Sequence, residues 1–138
     1  MDFNGTLATD GLLLAETRER LAMLSMRLRL HVVTADTFGT VAEQLGHLEI
    51  ERVVLRPSAQ DRQKLEYIRK LNPACTAALG NGRNDALMLK EAALGIAIIG
   101  AEGAFVGVIE ASDVICTRIA DGLDLLLHPD RLTATLRC

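Results

Sequence analysis

Aromatic residues are scarce in this 138-residue chain, which has one tyrosine, three phenylalanines and no tryptophan. Aliphatic side chains must therefore fill most of any core, and hydrophobic residues make up 49% of the sequence. Such a core is typical of a parallel sheet with helices on both faces. The composition favours an α/β fold.

Cysteines are also few. Cys75, Cys116 and Cys138 are odd in number and widely separated, which excludes a disulfide framework or a regular set of metal ligands. Free thiols of this kind fit a reducing compartment, so we expect a cytoplasmic protein.

The sequence has neither an excess of basic residues nor a long apolar run. A formal net charge of −3 gives no positive field to attract a polyanion, so nucleic acid is not an expected partner. The most apolar stretch, Ala92 to Ala101, is far shorter than the ~18 to 20 residues of a membrane helix. We expect a soluble protein that does not enter the membrane, without a signal peptide.

The length fits one domain spanning 1–138. Short apolar runs alternate with amphipathic stretches, which predicts βαβ units and a doubly wound, Rossmann-like parallel sheet. The predicted strands are Leu28 to Thr34, Ile50 to Leu55, Thr76 to Leu79, Gly95 to Ile99 and Asp113 to Cys116. The apolar stripes of two predicted helices are Leu14, Thr17, Leu21, Leu24 and Leu28, and Leu65, Ile68 and Leu71, with Asp61 near the start of the second helix.

Four segments carry candidate chemistry. They are DFNGT at Asp2 to Thr6, Thr34 in HVVTAD, Lys64, and GNGRNDALML from Gly80 to Leu89. Each has a structural alternative: a surface turn, a strand end, a solvated helix residue, and a glycine-rich helix start capped by Asn84 or Asp85, respectively. Their order, and their positions near predicted strand ends, favour one shared ligand crevice.

Taken together, the four segments resemble the phosphoryl-transfer site of the haloacid dehalogenase (HAD) superfamily. The resemblance implies that Asp2 is the nucleophile, forming an acyl phosphate that water later cleaves. The implied catalytic residues are Asp2, Asn4, Thr34 and Lys64. The implied phosphate-binding residues are Gly5, Thr6, Thr34, Ala35, Lys64 and Arg83. The implied Mg²⁺ ligands are Asp2, Asn4 through its carbonyl, Asn81 and Asp85.

The rest of the chain is similar to the phosphorylation domain of P-type ATPases. TADTFGT resembles a TGDN segment, and ALGIAIIG followed by ASDVI resembles GIAMG and AADIV segments. The sequence resembles the soluble P-type ATPase-like group of the HAD superfamily. Thr34 follows Thr6 by 28 positions, which excludes a pump with a nucleotide-binding domain and indicates a capless protein.

Two asparagines depart from the family pattern. Asn4 stands where phosphatases of the family carry a proton-transferring acid, and losing such help costs ~10²- to 10⁴-fold in rate. Asn81 replaces a metal-binding carboxylate, which implies weak Mg²⁺ affinity. We therefore expect slow hydrolysis of activated phosphates. The alternative is a degenerate relative that binds a phosphorylated ligand or protein partner without turnover.

Several further expectations follow. The substrate is a phosphorylated small molecule or a phosphoprotein, and a neighbouring subunit of a homo-oligomer could cover a site that has no cap. Arg83 is either a phosphate ligand or a solvated loop arginine. Asp36 and Thr37 are expected to cap a helix, and Asp10 to form a turn.

The family places an apolar central strand directly before its nucleophile, whereas here only Met1 precedes Asp2. The strands on either side would then lose backbone partners, at ~1 to 3 kcal/mol for each buried group left unpaired. We therefore expect that the natural protein begins upstream of Met1, or that another segment fills the gap.

Overall fold

The structure is a computed structural model that describes residues 1–35 and 40–137. Its strands are β1 (Ala8–Thr9), β2 (Leu12–Leu13), β3 (Leu30–Thr34), β4 (Ile50–Val54), β5 (Ala77–Gly80), β6 (Leu94–Ile98) and β7 (Val114–Cys116). Its helices are α1 (Ala15–Ser25), α2 (Val41–Leu45), α3 (Gln60–Leu71), α4 (Ala86–Glu91), α5 (Val106–Glu110), α6 (Ile119–Leu127) and α7 (Pro129–Leu136). No described helix is long and apolar enough to cross a membrane.

The longer strands form two parallel sheets. Strands β3 and β4 pair from Leu30 opposite Ile50 to Thr34 opposite Val54. Strand β6 lies between β5 and β7, and both pairings are parallel. The predicted α/β class with parallel strands is confirmed.

Met1 and Asp2 lie between the two parallel sheets. The Met1 amino group donates to the His31 carbonyl at 2.8 Å, and the Val33 N–H donates to the Met1 carbonyl at 2.9 Å. On the other side, the Asp2 N–H donates to the Leu79 carbonyl at 3.0 Å. The backbone of the first two residues therefore bonds to β3 on one side and to β5 on the other.

Each of the five predicted strands is present, but the ends differ from the prediction. Leu28 lies outside β3, because the N–H groups of Arg27 and Leu28 bond back to the Leu24 carbonyl and complete the turn that ends α1. The other corrections are that Leu55, Thr76, Ile99 and Asp113 lie just outside their strands, whereas Gly80 and Leu94 lie inside. Backbone bonds from Leu55 to Thr34, from Ile99 to Cys116 and from Asp113 to Gly95 still hold three of these residues against the sheet.

The sequence analysis missed the antiparallel hairpin β1–β2, which directly follows the first motif. Asp10 and Gly11 connect its strands, with φ of 51° and 75°. The predicted turn at Asp10 is therefore present. Two successive positive φ angles are typical of the type I′ turn that Asp-Gly favours, and this dipeptide was the signal for the hairpin.

The core lies in two layers because side chains alternate along the strands. Leu79 and Ile96 face the larger layer, which includes residues of α1 and α6, while Ala78 and Ala97 face a smaller layer with α3 and α4. Phe3 is fully buried in the larger layer and is one of the few aromatic side chains in the core. The expectation of an aliphatic core is confirmed.

The predicted helix stripes are correct in the middle and wrong at their ends. Thr17, Leu21 and Leu24 of α1 are buried, but Leu14 and Leu28 lie outside the helix and are about half exposed. In α3, Leu65 and Ile68 are buried and Leu71 is half-buried, and Asp61 lies in the first turn. Stripe periodicity cannot identify a helix end, where the backbone turns away from the core.

Candidate active site

The four motifs meet at one edge of the parallel sheets. Asp2 follows the strand position occupied by Met1, Thr34 ends β3, and Gly80 ends β5. Lys64 reaches the same place from α3. Strand ends that point the same way bring these residues together, as the sequence predicted.

Lys64 forms the centre of the site. Its Nζ donates to Oδ1 of Asp2 at 2.6 Å and to Oδ1 of Asp85 at 2.6 Å. Asp2 is 6% exposed, Lys64 1% and Asp85 0%. The expectation that Lys64 and Asp85 lie beside Asp2 is met, and a solvated Lys64 is excluded.

The charges in this cluster do not balance, because two carboxylates share one ammonium group. Burial raises the pKa of Asp2 to about 6, and repulsion from Asp85 adds to that effect while Lys64 and Thr6 oppose it. Burial alone would lower the pKa of Lys64, but the attraction of Asp2 and Asp85 outweighs burial and raises it. The site therefore favours a protonated lysine and the gain of further positive charge.

Thr6 connects Asp2 to Asn81 of the GNGRNDALML segment. Its hydroxyl lies 3.1 Å from Oδ2 of Asp2 and 3.1 Å from Oδ1 of Asn81. A hydroxyl has one hydrogen, so it can donate to only one of these oxygens at a time. Asn81 Nδ2 donates to the Gly103 carbonyl at 3.0 Å, which turns the amide oxygen toward Thr6.

Gly5 makes this contact possible. Its φ is +75°, a conformation that side chains rarely adopt, and a Cβ there would collide with the side-chain amide of Asn81. The Gly5 N–H donates to the Ala8 carbonyl at 2.9 Å, which closes the turn of the first motif. The motif is therefore a turn built to bring its backbone against Asn81.

Asp85 has two roles at once. Its Oδ2 accepts from the N–H groups of Asn81 at 3.0 Å and Gly82 at 2.8 Å, while Oδ1 faces Lys64. A Cβ at Gly80 would lie 2.6 Å from Cγ of Asp85, so the glycine admits this carboxylate. Asp85 therefore binds the backbone at the start of the helical segment and also contacts Lys64, while its role as a metal ligand stays a prediction.

The other predicted site residues have different surroundings. Thr34 is buried at the end of β3, on the strand whose Val33 bonds to Met1, and Ala35 follows it. Arg83 is exposed, with its guanidinium carbon 4.6 Å from the centre of the Phe105 ring. Asp36 and Thr37, which were expected to cap a helix, lie outside the described residues.

A hard cation suits the oxygen atoms of this site. Asp2 and Asp85 supply carboxylates, and the side-chain oxygen of Asn4 is buried without a hydrogen-bond donor. Carboxylate and amide oxygens are ligands that Mg²⁺ accepts. The described residues contain no group of three or more His, Cys, Asp or Glu side chains placed for a metal.

The sequence analysis missed the segment that supports Asn81 from the other side. The Gly103 carbonyl accepts from its side chain, and the Phe105 N–H donates to its carbonyl at 2.8 Å. Glu102 of this segment also accepts from the Asp10 N–H at 2.8 Å. No spacing in the sequence indicated these contacts, because they join segments far apart along the chain.

No cap domain interrupts the site in the described parts of the chain. The hairpin β1–β2 and helix α1 separate the first motif from β3, and α2 and β4 lie between β3 and α3. The capless arrangement predicted from the short intervals is present.

Comparison with known proteins gave no matching family model. An uncharacterized protein of Methanocaldococcus jannaschii is 51% identical over 74 residues, which are 53% of this chain and 80% of that protein. This identity over most of the archaeal protein is high enough to show common family membership.

Solved structures show the same fold at low identity. A 3-deoxy-D-manno-octulosonate 8-phosphate phosphatase from Moraxella catarrhalis, solved with magnesium and phosphate, has a TM-score of 0.76 and 19% identity, covering 99% of this chain and 91% of its own. A HAD-superfamily subfamily III A hydrolase from Legionella pneumophila has a TM-score of 0.71 and 18% identity, covering 98% and 84%. The catalytic domain of a CPx-ATPase, CopB-B, has a TM-score of 0.60 and 20% identity, covering 82% and 44%. The chain has the fold of the haloacid dehalogenase superfamily and belongs to the same family as the Methanocaldococcus jannaschii protein.

Proposed function

We propose that this protein is a slow, Mg²⁺-dependent phosphohydrolase or phosphotransferase that acts through an aspartyl-phosphate on Asp2. The observation that carries the proposal is the buried contact of Lys64 with both Asp2 and Asp85, at 2.6 Å each. A buried cluster with unequal charges is costly for a fold and is typical of a functional site. The fold shared with the Moraxella catarrhalis phosphatase supports the same reaction class.

The reaction needs a free carboxylate oxygen on Asp2. Lys64 engages Oδ1, and Thr6 engages Oδ2. Asn81 lies at the same distance from the Thr6 hydroxyl as Asp2 does, so the hydroxyl can turn to Asn81 and release Oδ2. That oxygen then bonds to phosphorus as the bond from phosphorus to the leaving oxygen breaks.

In the second half of the reaction, water attacks the acyl phosphate, releases inorganic phosphate and restores the Asp2 carboxylate. Lys64 and the hydroxyl of Thr34 would donate to phosphate oxygens. Mg²⁺, held by Asp2, Asp85 and Asn4, would supply positive charge against the phosphate when bound. Asn81 would contribute at most an uncharged oxygen.

Asn4 limits the range of substrates. An amide cannot carry a proton to the leaving oxygen, so the leaving group must depart as a stable anion. Acyl and aryl phosphates meet that condition, whereas alkyl phosphates do not. The proposed substrates are activated phosphates, in small molecules or on proteins that reach a site without a cap.

The site has no cap domain, so in a homo-oligomer a second subunit would cover it. Light scattering tests for that oligomer. The free thiols of Cys75 and Cys116 support the proposed cytosolic location.

The test is hydrolysis of an aryl phosphate and of acetyl phosphate, with and without Mg²⁺. Asp2→Asn should remove the Mg²⁺-dependent activity, because the amide cannot form the acyl phosphate. Asp10→Asn is the matched control, since Asp10 is exposed in the hairpin turn and asparagine tolerates its positive φ. Parental rates in the Asp2 variant would refute the assignment of the nucleophile.

A binding role without turnover is the second candidate, and the asparagine at position 4 favours it. Asn4→Asp separates the two, because restoring an acid helps only a protein that already transfers phosphate. Under the enzymatic proposal, this variant should gain at least ~10-fold on alkyl phosphates and less on aryl phosphates. Phosphate binding by calorimetry without turnover in parent or variant would favour the binding role.

A further inference from the structure

Arg83 lies in the loop that follows β5, at the same sheet edge as the candidate active site. Its side chain is exposed, whereas Asp2 is only 6% exposed and Lys64 and Asp85 are buried more deeply. The proposed phosphoryl transfer does not use this arginine. An exposed cation beside a buried reaction centre is placed to contact the part of a ligand that stays outside that centre.

The backbone around Arg83 is fixed on both sides. The N–H groups of the two residues before it donate to Oδ2 of Asp85, at 3.0 and 2.8 Å. The residue after it, Asn84, donates from Nδ2 to Oε1 of Gln60 at the start of α3, at 3.1 Å. Arg83 therefore extends from a loop whose position is set by a site residue and by α3.

Phe105 orients the Arg83 side chain. The guanidinium carbon lies over the Phe105 ring, 4.6 Å from its centre. The ring is held in turn by Gly107, because a Cβ at that glycine would lie 2.3 Å from Cε1 of the ring. A guanidinium that stacks on a ring directs its N–H groups outward in its own plane. Phe105 therefore orders the arginine without using its hydrogen-bond donors.

Those donors are unused by the described parts of the chain. Within residues 1–35 and 40–137, no hydrogen bond or ion pair engages the Arg83 guanidinium, whereas Arg20 and Arg69 each bond to a carboxylate at 2.8 Å. A planar guanidinium binds a carboxylate or phosphate group through two parallel hydrogen bonds. An ordered guanidinium with unused donors is therefore suited to an oxyanion of a ligand.

This oxyanion differs from the phosphate that is transferred to Asp2. The contacts that lead from Asp2 toward Arg83 pass through Thr6, which lies 3.1 Å from both Asp2 and Asn81. They continue from the Asn81 carbonyl to the Phe105 N–H at 2.8 Å, and from the Phe105 ring to Arg83. Arg83 thus lies several contacts away from the nucleophile, which places it beside the leaving part of a substrate.

We propose that Arg83, held by Phe105, selects substrates that carry a second oxyanion, such as a carboxylate, in the part that departs with the leaving oxygen. The inference rests on the proposed function, since it names the substrate class of the same site. Two carboxylates share one ammonium group in that site, so a further anion is repelled unless a cation receives it. Arg83 supplies that cation at the exposed side.

The test compares meta-carboxyphenyl phosphate with its methyl ester, which has the same ring without the second negative charge. Selectivity is the ratio of the two kcat/KM values, measured with Mg²⁺. Arg83→Gln should lower this ratio at least ~3-fold, mainly through KM for the carboxylated substrate, because an exposed bidentate pair is lost. Arg27→Gln, at an exposed arginine before the start of β3, is the matched control and should keep the parental ratio. Equal losses on both substrates in Arg83→Gln would overturn the proposal.

Two further variants separate charge from geometry. Arg83→Lys keeps the positive charge but not the planar pair of donors, so it should retain only part of the selectivity. Phe105→Leu keeps an apolar side chain but removes the ring, and it should lower the selectivity because the guanidinium is no longer held. Parental selectivity in Phe105→Leu would overturn the role assigned to the ring.

Binding measurements keep the inference testable if the protein hydrolyses no phosphate. The probes are meta-carboxybenzylphosphonate and benzylphosphonate, which differ by the same carboxylate and resist hydrolysis. By calorimetry, the parent should bind the carboxylated compound more tightly, and Arg83→Gln should remove the difference. That result without turnover would refute the proposed function and support the role of Arg83. Equal affinity of the parent for both compounds, or binding of neither, would overturn the inference.

Discussion

At the scale of single residues, the site depends on groups that leave room for one another. Because Gly5 has no Cβ, the amide of Asn81 can approach its backbone. The carboxylate of Asp85 approaches Gly80 for the same reason. The importance of the two glycines follows from the close approach of backbone to side chain, which the sequence indicated only as glycine-rich motifs.

A comparison of Gly5 with Gly103 separates two costs of adding a side chain, which are backbone strain and steric collision. Both have positive φ, of 75° and 78°, but a Cβ at Gly103 would meet nothing within 4 Å. Gly103→Ala should cost about 1 kcal/mol from backbone strain alone. Gly5→Ala should cost about 1 to 3 kcal/mol more, because it also displaces Asn81.

Urea unfolding of the two variants measures this difference, and hydrolysis of an aryl phosphate reports on the site. The activity of Gly5→Ala should fall more than that of Gly103→Ala, since Asn81 bonds to Thr6. If the two variants lose equal stability, the close contact between Gly5 and Asn81 is not present in solution.

At the scale of elements, helices α1 and α6 pack together on one face of the sheets, and an ion pair between Arg20 and Asp124 joins them. Arg20 donates to both carboxylate oxygens of Asp124, at 2.8 and 3.1 Å. Both side chains are 23% exposed, so solvent screens the pair in part. Neither residue belonged to a predicted motif, because the partners are far apart in sequence.

Asp124→Asn should lower the free energy of unfolding by about 0.5 to 1 kcal/mol at pH 7. Arg20 holds the pKa of Asp124 below its usual value, so the folded state binds fewer protons than the unfolded state near that value. The contribution is therefore present above about pH 4 and is lost as the pH falls through the lower folded pKa. Asp121→Asn is the comparison on the same helix, because it removes a more exposed pair with Arg118 at 3.5 Å and should cost less.

Urea unfolding at pH 7 and pH 3 checks both parts of this expectation. The difference between parent and Asp124→Asn should shrink at the lower pH. A difference that persists unchanged at pH 3 would show that the aspartate acts through packing rather than through charge.

At the scale of the whole molecule, the sequence was sufficient for the fold class and for the residues that gather around Lys64. Apolar runs located the five parallel strands, and motif order placed Asp2, Thr34 and Lys64 at one sheet edge. The sequence was not sufficient for contacts between distant segments, such as Asn81 with Gly103. It also missed the hairpin at Asp10, although Asp-Gly is a local signal, because the flanking strands have only two residues each.

The charge of the site connects to the stability of the whole fold through metal binding. Asn81→Asp should lower the melting temperature without Mg²⁺, for two reasons. A carboxylate cannot donate to the Gly103 carbonyl, where Asn81 now donates at 3.0 Å. It also adds a third negative group beside Asp2 and Asp85.

Mg²⁺ should reverse that loss, since an ion bound only to the folded state stabilises it by RT ln(1 + [Mg²⁺]/Kd), about 2.7 kcal/mol at 100 times Kd. The variant should bind Mg²⁺ more tightly by calorimetry and show a larger Mg²⁺-dependent rise in melting temperature than the parent. Sodium chloride at matched ionic strength and the exposed Asn72→Asp exchange are the controls. If parent and Asn81→Asp respond equally to Mg²⁺, residue 81 lies outside the metal site, and Asp2 and Asp85 must attract the ion without it.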